Sequence, residues 1–299
     1  MLIANVVVQS GIVVTGGLVR LTGSGLGCPT WPQCDPGSYT PEFHPEMGIH
    51  PFIEFGNRLL TFAVAAAAIA ALVVVWRTGR RHLRLLAAVP LVGTAAQAVL
   101  GGITVLTGLH PATVAAHFLL SMVLIAASVV LLLRVQEPDG PVRLVVPQLV
   151  QRLGWALAAV GAVVLVLGTV VTGSGPHSGD AETPARFGFD PRTISWLHAD
   201  SVLLFVGLLI GLTVALHVTG APEVARERAR LVIAVTVGQG LVGYVQYATG
   251  LPEPLVAVHM LGACLLVITL TALLMSLRTR EPAAVPGADD QRDGALTSA

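Results

Sequence analysis

The sequence predicts an all-α polytopic membrane protein, and three observations lead to that fold class. Hydrophobic residues make up 54% of the 299 residues, and the mean hydropathy is +0.78. Charged residues make up only 11%, whereas soluble domains carry about 25%. Eight apolar stretches are long enough to cross a bilayer core of about 30 Å, which takes about 20 helical residues. These observations exclude a soluble globular enzyme, a disordered protein and a disulfide-rich secreted scaffold.

The eight stretches define the predicted elements in chain order. The first is the shortest, and we interpret it as a span because it has neither a basic leading segment nor a small-residue cleavage site. The formal net charge is zero, so the sequence offers no basic surface for nucleic acid. The predicted spans are 2–19, 52–76, 84–106, 112–135, 152–173, 193–218, 230–250 and 255–277.

Arginine placement predicts the orientation of the spans. Thirteen of the 17 arginines lie in 77–84, 134–152, 226–230 and 278–292, on one side of the predicted bundle. Because positive charge accumulates on the cytoplasmic side, we expect a plasma-membrane protein with both termini cytoplasmic. The segments 20–51 and 174–192 then face outward. The Pro-, Gly- and Asp-rich segment 281–299 predicts a disordered cytoplasmic tail.

The two halves of the chain resemble each other. The segment from Gln97 to His117 aligns with the segment from Gln239 to His259 at a constant offset of 142, and two Gly, one Thr and one Leu match between them. Residues 13–16 recur as 170–173. With four spans in each half, this pattern predicts a parallel repeat. We expect two four-helix bundles, an N-terminal half over 1–135 with a long outer loop 20–51, and a C-terminal half over 152–277.

Four polar residues share one depth in the predicted bundles. Each lies about five residues past the outer start of an even-numbered span, or about 7–8 Å into the helix. These residues are Asn57, His117, His198 and His259. Intramembrane polar groups usually mark a site, although a single histidine can simply hydrogen-bond a neighbouring helix. Imidazoles that face one another across a bundle are natural axial ligands of heme iron. The pattern favours a bis-histidine heme at His198 and His259, since zinc or copper would need further ligands nearby.

The first half differs, because His117 faces Asn57, a poor iron ligand. Glu54 lies one turn before Asn57, and Arg58 lies four residues after Glu54. One interpretation is an intrahelical ion pair between Glu54 and Arg58. The other is a carboxylate for proton transfer beside an open oxygen-binding position. Arg58 is also suited to pair with a heme propionate.

Two cysteines lie close together in the first outer loop. Cys28 and Cys34 bracket Pro-Thr-Trp-Pro-Gln, and the expected outward location is oxidising, which favours a disulfide. A redox-active pair that exchanges with a partner thiol is the alternative. Cys264, in the eighth span, is predicted to be a small buried apolar residue.

A family resemblance follows from these motifs. Residues 16–32 read Gly-Gly-Leu-Val-Arg-Leu-Thr-Gly-Ser-Gly-Leu-Gly-Cys-Pro-Thr-Trp-Pro, which resembles the first helix and outer loop of the heme A synthase family. The segment from Ile53 to Arg58 and the histidines of spans four, six and eight also resemble that family. The resemblance covers the whole eight-span body and excludes the tail.

The resemblance implies an oxidoreductase of cytochrome oxidase assembly. Members oxidise the C8 methyl of heme O to the formyl of heme A, by successive hydroxylations, for terminal cytochrome oxidases. It implies a heme b cofactor bound by His198 and His259, and a substrate heme O with His117 as iron ligand. It also implies a catalytic role for Glu54 and matches Cys28 and Cys34 to the outer-loop cysteine pair of the family.

One position departs from the family pattern. Many members carry histidine where this chain has Asn57, so we expect His117 alone to hold the substrate iron, with Asn57 and Arg58 lining the pocket. The expected partners are membrane lipid, an external electron donor, heme O synthase and cytochrome oxidase assembly factors, and no nucleic acid. Two alternatives are a di-heme b-type electron-transfer protein and a non-catalytic heme-binding assembly factor. The unequal halves argue against a simple electron conductor.

Overall fold

A computed structural model describes residues 1–180 and 184–282, and within them eight long helices form the body of the protein. Each is long and apolar enough to cross a membrane. This confirms the predicted all-α polytopic membrane fold. The helices are α1 (Leu2–Leu21), α2 (His50–Arg77), α3 (Arg84–Leu106), α4 (Pro111–Gln136), α5 (Gln148–Ser174), α6 (Pro191–Val218), α7 (Glu223–Ala248) and α8 (Glu253–Ser276).

The largest difference from the predicted boundaries is at the start of α7. This helix begins at Glu223, seven residues before the predicted start at 230. Its first two turns are charged, and Glu223 pairs with Arg226 and Arg230 at 2.6 and 2.7 Å. Ion pairs of this spacing support a helix that extends beyond its apolar segment, which a hydropathy pattern does not detect.

The helix ends define two faces of the molecule. We call the face that carries segments 22–49, 107–110, 175–180, 184–190 and 249–252 the loop face, and the opposite one the arginine face. All four even-numbered helices begin at the loop face, each with a proline in its first two positions. Proline is favoured there because its fixed φ suits the first turn and the first amide needs no partner. The common start places the predicted site residues at similar depths.

The start of α6 also has a side-chain cap. The Asp190 carboxylate accepts hydrogen bonds from the hydroxyl and the backbone N–H of Thr193, at 2.6 and 2.8 Å. Such bonds satisfy donors that the first turn leaves free. They also hold the pKa of Asp190 below its ordinary value, because they favour the charged carboxylate.

Four helices meet at the centre of the molecule. α1 packs on α4 and α8, α4 also packs on α5 and α8, and α5 packs on α8, while the remaining helices pack on the outside of these. The central contacts include Val13 of α1, Met122 and Ile125 of α4, and Cys264 of α8, all buried. Cys264 is a free thiol, so its predicted role as a small buried residue is confirmed.

The segments of the loop face bind one another. The Gly25 N–H donates to the Gly179 carbonyl at 3.0 Å, which joins the first long loop to the loop before α6. His177 donates from Nε2 to the Leu251 carbonyl at 2.8 Å, which joins that loop to the α7–α8 turn. These bonds connect the ends of both halves.

A short ribbon on the arginine face was not predicted. β1 (Val142–Leu144) pairs antiparallel with β2 (Arg278–Arg280), and the Gly140 N–H donates to the Glu281 carbonyl at 2.9 Å. The ribbon ties the α4–α5 connection to the end of α8. Three-residue strands carry too little alternation to be found by periodicity. The predicted disordered tail, from residue 283 onward, lies outside the described residues.

Candidate functional site

Each predicted histidine ligand lies against a glycine of the preceding helix. A β carbon added to that glycine would lie 3.3 Å from the histidine Cε1 in all three cases. The pairs are Gly101 with His117, Gly168 with His198, and Gly243 with His259. Because protein interiors are close-packed, a larger residue at any of these positions would displace the ring. We call these three glycines the seats of the histidines.

The ring nitrogens of the three histidines have different surroundings. Nδ1 of His117, His198 and His259 is buried and has no hydrogen-bond partner among residues 1–180 and 184–282. Nε2 of the same rings is not among the enclosed unpaired atoms, so it is the more accessible nitrogen of each ring. A neutral imidazole binds metal through a free nitrogen. The seats therefore hold three rings whose Nδ1 is enclosed and whose Nε2 is the candidate ligand atom.

The backbones that carry His117 and His259 are held in the same way. Gln97 donates from Nε2 to the His117 carbonyl at 2.9 Å, and Gln239 does so to the His259 carbonyl at 3.0 Å. The turns before α4 and α8 also match, because Leu109 and Leu251 have φ angles of 56° and 62°. These pairs are related by the offset of 142 seen in the sequence. The arrangement of the chain as two parallel-repeat bundles stays a prediction.

The histidines lie slightly deeper than expected. His117 and His259 are six residues from the starts of α4 and α8, and His198 is seven from the start of α6. At 1.5 Å per residue this is about 9–10 Å. The helices begin one or two residues before the apolar stretches, which accounts for the difference.

Asn57 is placed differently from the histidines. The Thr15 hydroxyl of α1 donates to Asn57 Oδ1 at 2.8 Å, and Nδ2 lies 3.6 Å from a β carbon built on Gly16. In the repeat alignment the seat of His198, Gly168, corresponds to Gly11. No atom of the described chain lies within 4 Å of a β carbon built on Gly11. The position that a ring fills in the second half is therefore open in the first.

Glu54 and Arg58 form the intrahelical ion pair that the sequence allowed. Arg58 donates to Glu54 Oε1 from Nε at 3.1 Å and from Nη2 at 2.6 Å. The second oxygen, Oε2, accepts the Cys28 N–H at 2.8 Å. Glu54 is 6% exposed, so the carboxylate is enclosed and engaged on both oxygens. Its predicted catalytic role stays a prediction.

Arg58 also binds the loop between α1 and α2. Its Nη1 donates to the Gln33 carbonyl at 3.2 Å, and Nη2 donates to the carbonyls of Cys28 and Thr30 at 3.1 Å. Together with Glu54, Arg58 fastens this loop to the start of α2. Sequence spacing does not reveal such bonds, because the acceptors are backbone carbonyls about 25 to 30 positions away. The expected pairing of Arg58 with a propionate stays a prediction.

Cys28 and Cys34 form a disulfide, which closes this loop. Between them, the Trp31 ring packs directly on the backbone of Gly102 in α3. Gly102 follows Gly101, the seat of His117. The loop therefore rests on the same stretch of backbone that positions the predicted ligand of the first half. A structural role and a redox-active role for this disulfide both stay predictions.

The donor sets suit heme iron. In the described ranges, no group of three or more His, Cys, Asp or Glu side chains is arranged to hold a metal ion by itself. Heme needs fewer protein ligands because the porphyrin supplies four nitrogens and the protein only the axial positions. One or two imidazoles per half meet that requirement.

Fold and site together define a class, an all-α multi-pass membrane protein with a layer of histidines near one face. Residues 1–183 match the family of cytochrome oxidase assembly proteins, COX15-CtaA. The chain belongs to this family, which confirms the resemblance drawn from the motifs.

Several curated relatives of this chain are named heme A synthase. The protein of Lysinibacillus sphaericus (strain C3-41) is 36% identical over 131 residues, which cover 43% of this chain and 41% of the relative. That of Bacillus pumilus (strain SAFR-032) is 32% identical over 130 residues, 42% of this chain and 41% of the relative. The matched segment thus spans about two fifths of these relatives.

Proposed function

We propose that this protein is a heme A synthase, a membrane oxidoreductase that converts the C8 methyl of heme O to a formyl group for a terminal cytochrome oxidase. The observation that carries the proposal is the layer of three glycine-seated histidines, each with Nδ1 enclosed and Nε2 as its more accessible ring nitrogen. Family membership and the names of the relatives support it.

In the C-terminal half, His198 and His259 would bind heme b. The fit rests on their seats, Gly168 and Gly243, which set the ring positions, and on the more accessible Nε2 atoms. Bound there, heme b would supply one-electron transfer toward the substrate side. The contribution of the chain is axial ligation and an apolar surrounding, which set the potential of the group.

In the N-terminal half, His117 would hold the iron of the substrate heme O. Asn57 is drawn toward α1 by Thr15, and the space at Gly11 is open, so the second side of the substrate has room for dioxygen. Each hydroxylation of the methyl takes up one dioxygen, two electrons and two protons, and releases one water. Two rounds give a geminal diol, which loses water to become the aldehyde. The electrons come from an external donor.

We also propose a role for Glu54 in turnover. Its carboxylate is shared by Arg58 and the Cys28 amide, so it can hold a proton, fasten the loop, or do both. Glu54→Gln keeps an acceptor for the Cys28 N–H and removes the charge, whereas Glu54→Ala removes both. If proton transfer matters, both variants keep heme b and lose product. If only Glu54→Ala loses product, the role of Glu54 is to fasten the loop.

The proposed location follows from the two faces. The arginine face would be cytoplasmic with both termini, and the loop face with its disulfide would lie outside the plasma membrane, where oxidising conditions maintain disulfides. Heme O synthase and cytochrome oxidase assembly factors are the proposed partners, because they handle the substrate and the product.

The test of the function is pigment extraction. The protein is purified from cells that supply heme O, and the extracted hemes are identified by mass. We expect heme A or its hydroxylated precursor, and heme b without any oxidised heme from the His117→Ala control. If no oxidised heme forms while an authentic heme A synthase converts heme O in the same cells, the proposal is wrong. Retention of heme b alone would then favour an electron-transfer protein or an assembly factor.

A further inference from the structure

Arg20 occupies an unusual position at the loop face. It lies in the last turn of α1 and donates from Nη2 to the Thr172 carbonyl of α5 at 3.1 Å. Its Nε is buried and has no hydrogen-bond partner in the part of the chain that is described. A partly buried cation with an enclosed free donor is costly unless a ligand completes its bonding.

The Thr172 contact places Arg20 relative to the heme site of the C-terminal half. Thr172 follows Gly168, the seat of His198, by four residues. Residues four apart lie on the same face of a helix, one turn or about 6 Å apart along it. Arg20 therefore lies one turn closer to the loop face than the His198 ring, at the side of α5 that faces this ring.

The side chain of Arg20 is held in this place. The Gly179 backbone crosses its aliphatic part, and a β carbon on Gly179 would lie 3.1 Å from Arg20 Cγ. Gly179 has a φ of 98°, which strongly favours glycine, and its carbonyl accepts the Gly25 N–H. The guanidinium is thus fixed before any ligand binds, which lowers the entropic cost of binding.

We propose that Arg20 binds a propionate carboxylate of the heme held by His198 and His259. This inference rests on the proposed heme b site. A guanidinium matches a carboxylate in geometry and charge, and the propionates of a porphyrin lie at one edge, away from the iron. Arg58, the candidate from the sequence, already donates from Nε, Nη1 and Nη2 to protein acceptors. Arg20 retains a free buried donor.

The experiment compares heme b with its dimethyl ester, which lacks the carboxylates. Protein produced without heme is reconstituted in nanodiscs, with His117→Ala throughout so that binding reports the C-terminal half. We expect the parent to bind heme b about tenfold more tightly than the ester, the order expected for a hydrogen bond between charged groups. Arg20→Leu should bind both equally and keep the low-spin spectrum. Arg186→Leu, an exposed arginine that binds the Pro176 carbonyl, is the matched control.

Three outcomes separate the possibilities. If Arg20→Leu prefers heme b as the parent does, or if it loses affinity for both hemes by the same factor, Arg20 does not bind a propionate. If the parent binds neither heme with a low-spin spectrum, the heme b site itself is wrong. Should Arg20→Leu fail to fold, Arg20→Gln replaces it, with a neutral donor that is expected to lose most of the preference for heme b.

Discussion

The two halves of this protein differ most at α2 and α6. These helices carry Asn57 and His198, respectively, near their ends at the loop face. In α6, the His198 ring fills the space in front of Gly168. In α2, Asn57 is bonded to Thr15, and Gly11, the counterpart of Gly168, faces open space. The other histidine of each half, His117 or His259, has the same seat and the same glutamine bond. The comparison shows that Asn57, a shorter side chain than histidine, leaves open the space that the His198 ring occupies in the other half.

The same two helices differ in how they hold the loops. α2 carries Glu54 and Arg58, which bind the disulfide loop. The aligned residues of α6 are Ser195 and Ala199, and Ser195 bonds only to its own helix at Pro191. The half in which the space at Gly11 is open is therefore also the half in which the disulfide loop is bonded to α2.

The largest expected effect comes from the histidines of the C-terminal half. His198→Ala and His259→Ala each remove an axial ligand, so bound heme b should fall to a small fraction of the parent level. His117→Ala should keep heme b and lose product. The low-spin spectrum and the heme-to-protein ratio measure this, with His217→Ala, at the other end of α6, as control. Retention of the low-spin spectrum in both C-terminal variants would remove the assignment of heme b to this half.

The next test makes the halves alike. In Asn57→His, a second imidazole can reach the vacant side of the substrate iron, so we expect a low-spin spectrum for bound heme O. Product formation should fall about tenfold or more, an increase of at least about 1.4 kcal/mol in the activation barrier, because the added imidazole would occupy the position that is expected to be open to dioxygen. Electron paramagnetic resonance of protein loaded with heme O follows the ligation, with Asn57→Gln as control. Full turnover by a low-spin Asn57→His variant would show that the Asn57 side is not where oxygen reacts.

A smaller effect is expected from the glycine seats. The added methyl of Gly168→Ala must move the His198 ring by a few tenths of an ångström, which should shift the heme b spectrum and weaken heme binding several-fold. Gly11→Ala, its counterpart, should leave heme b unchanged. Gly240→Ala, with nothing within 4 Å, controls for the helix propensity gained, about 1 kcal/mol. Equal spectra for Gly168→Ala and Gly11→Ala would mean that the two positions do not differ as the structure shows.

The smallest effect should come from Thr15→Val, which removes the bond to Asn57. Hydrogen bonds between membrane helices contribute about 0.6 kcal/mol on average, so thermal stability in detergent should fall slightly. Turnover should change less than threefold, since Asn57 then turns more freely. Thr169→Val, whose hydroxyl bonds only within α5, is the control. A large loss of product from Thr15→Val alone would indicate that the position of Asn57 is itself part of the reaction.

The sequence predicted the features that depend on local pattern. Apolar length set the eight spans, and the common position of His117, His198 and His259 followed from counting along them. The bonds of Arg58 to Cys28, Thr30 and Gln33 could not be predicted, because backbone acceptors leave no trace in residue type. The seats were likewise hidden, since a glycine becomes informative only when the ring against it is known. The ribbon at 142–144 was too short for its pattern to stand out.

Two neighbouring glycines of α3, Gly101 and Gly102, connect the disulfide loop with the surroundings of His117. Gly101 contacts the His117 ring and Gly102 contacts the Trp31 ring, so one peptide unit of α3 packs against both side chains. A displacement of the loop between Cys28 and Cys34 would therefore act on the backbone beside His117. α7 has no matching pair of contacts, because the residue that corresponds to Gly102 is Tyr244, whose side chain is exposed, and a β carbon on Gly243 would meet only His259. Movement of this loop would thus act first on the surroundings of His117, and the seat of His259 has no equivalent contact.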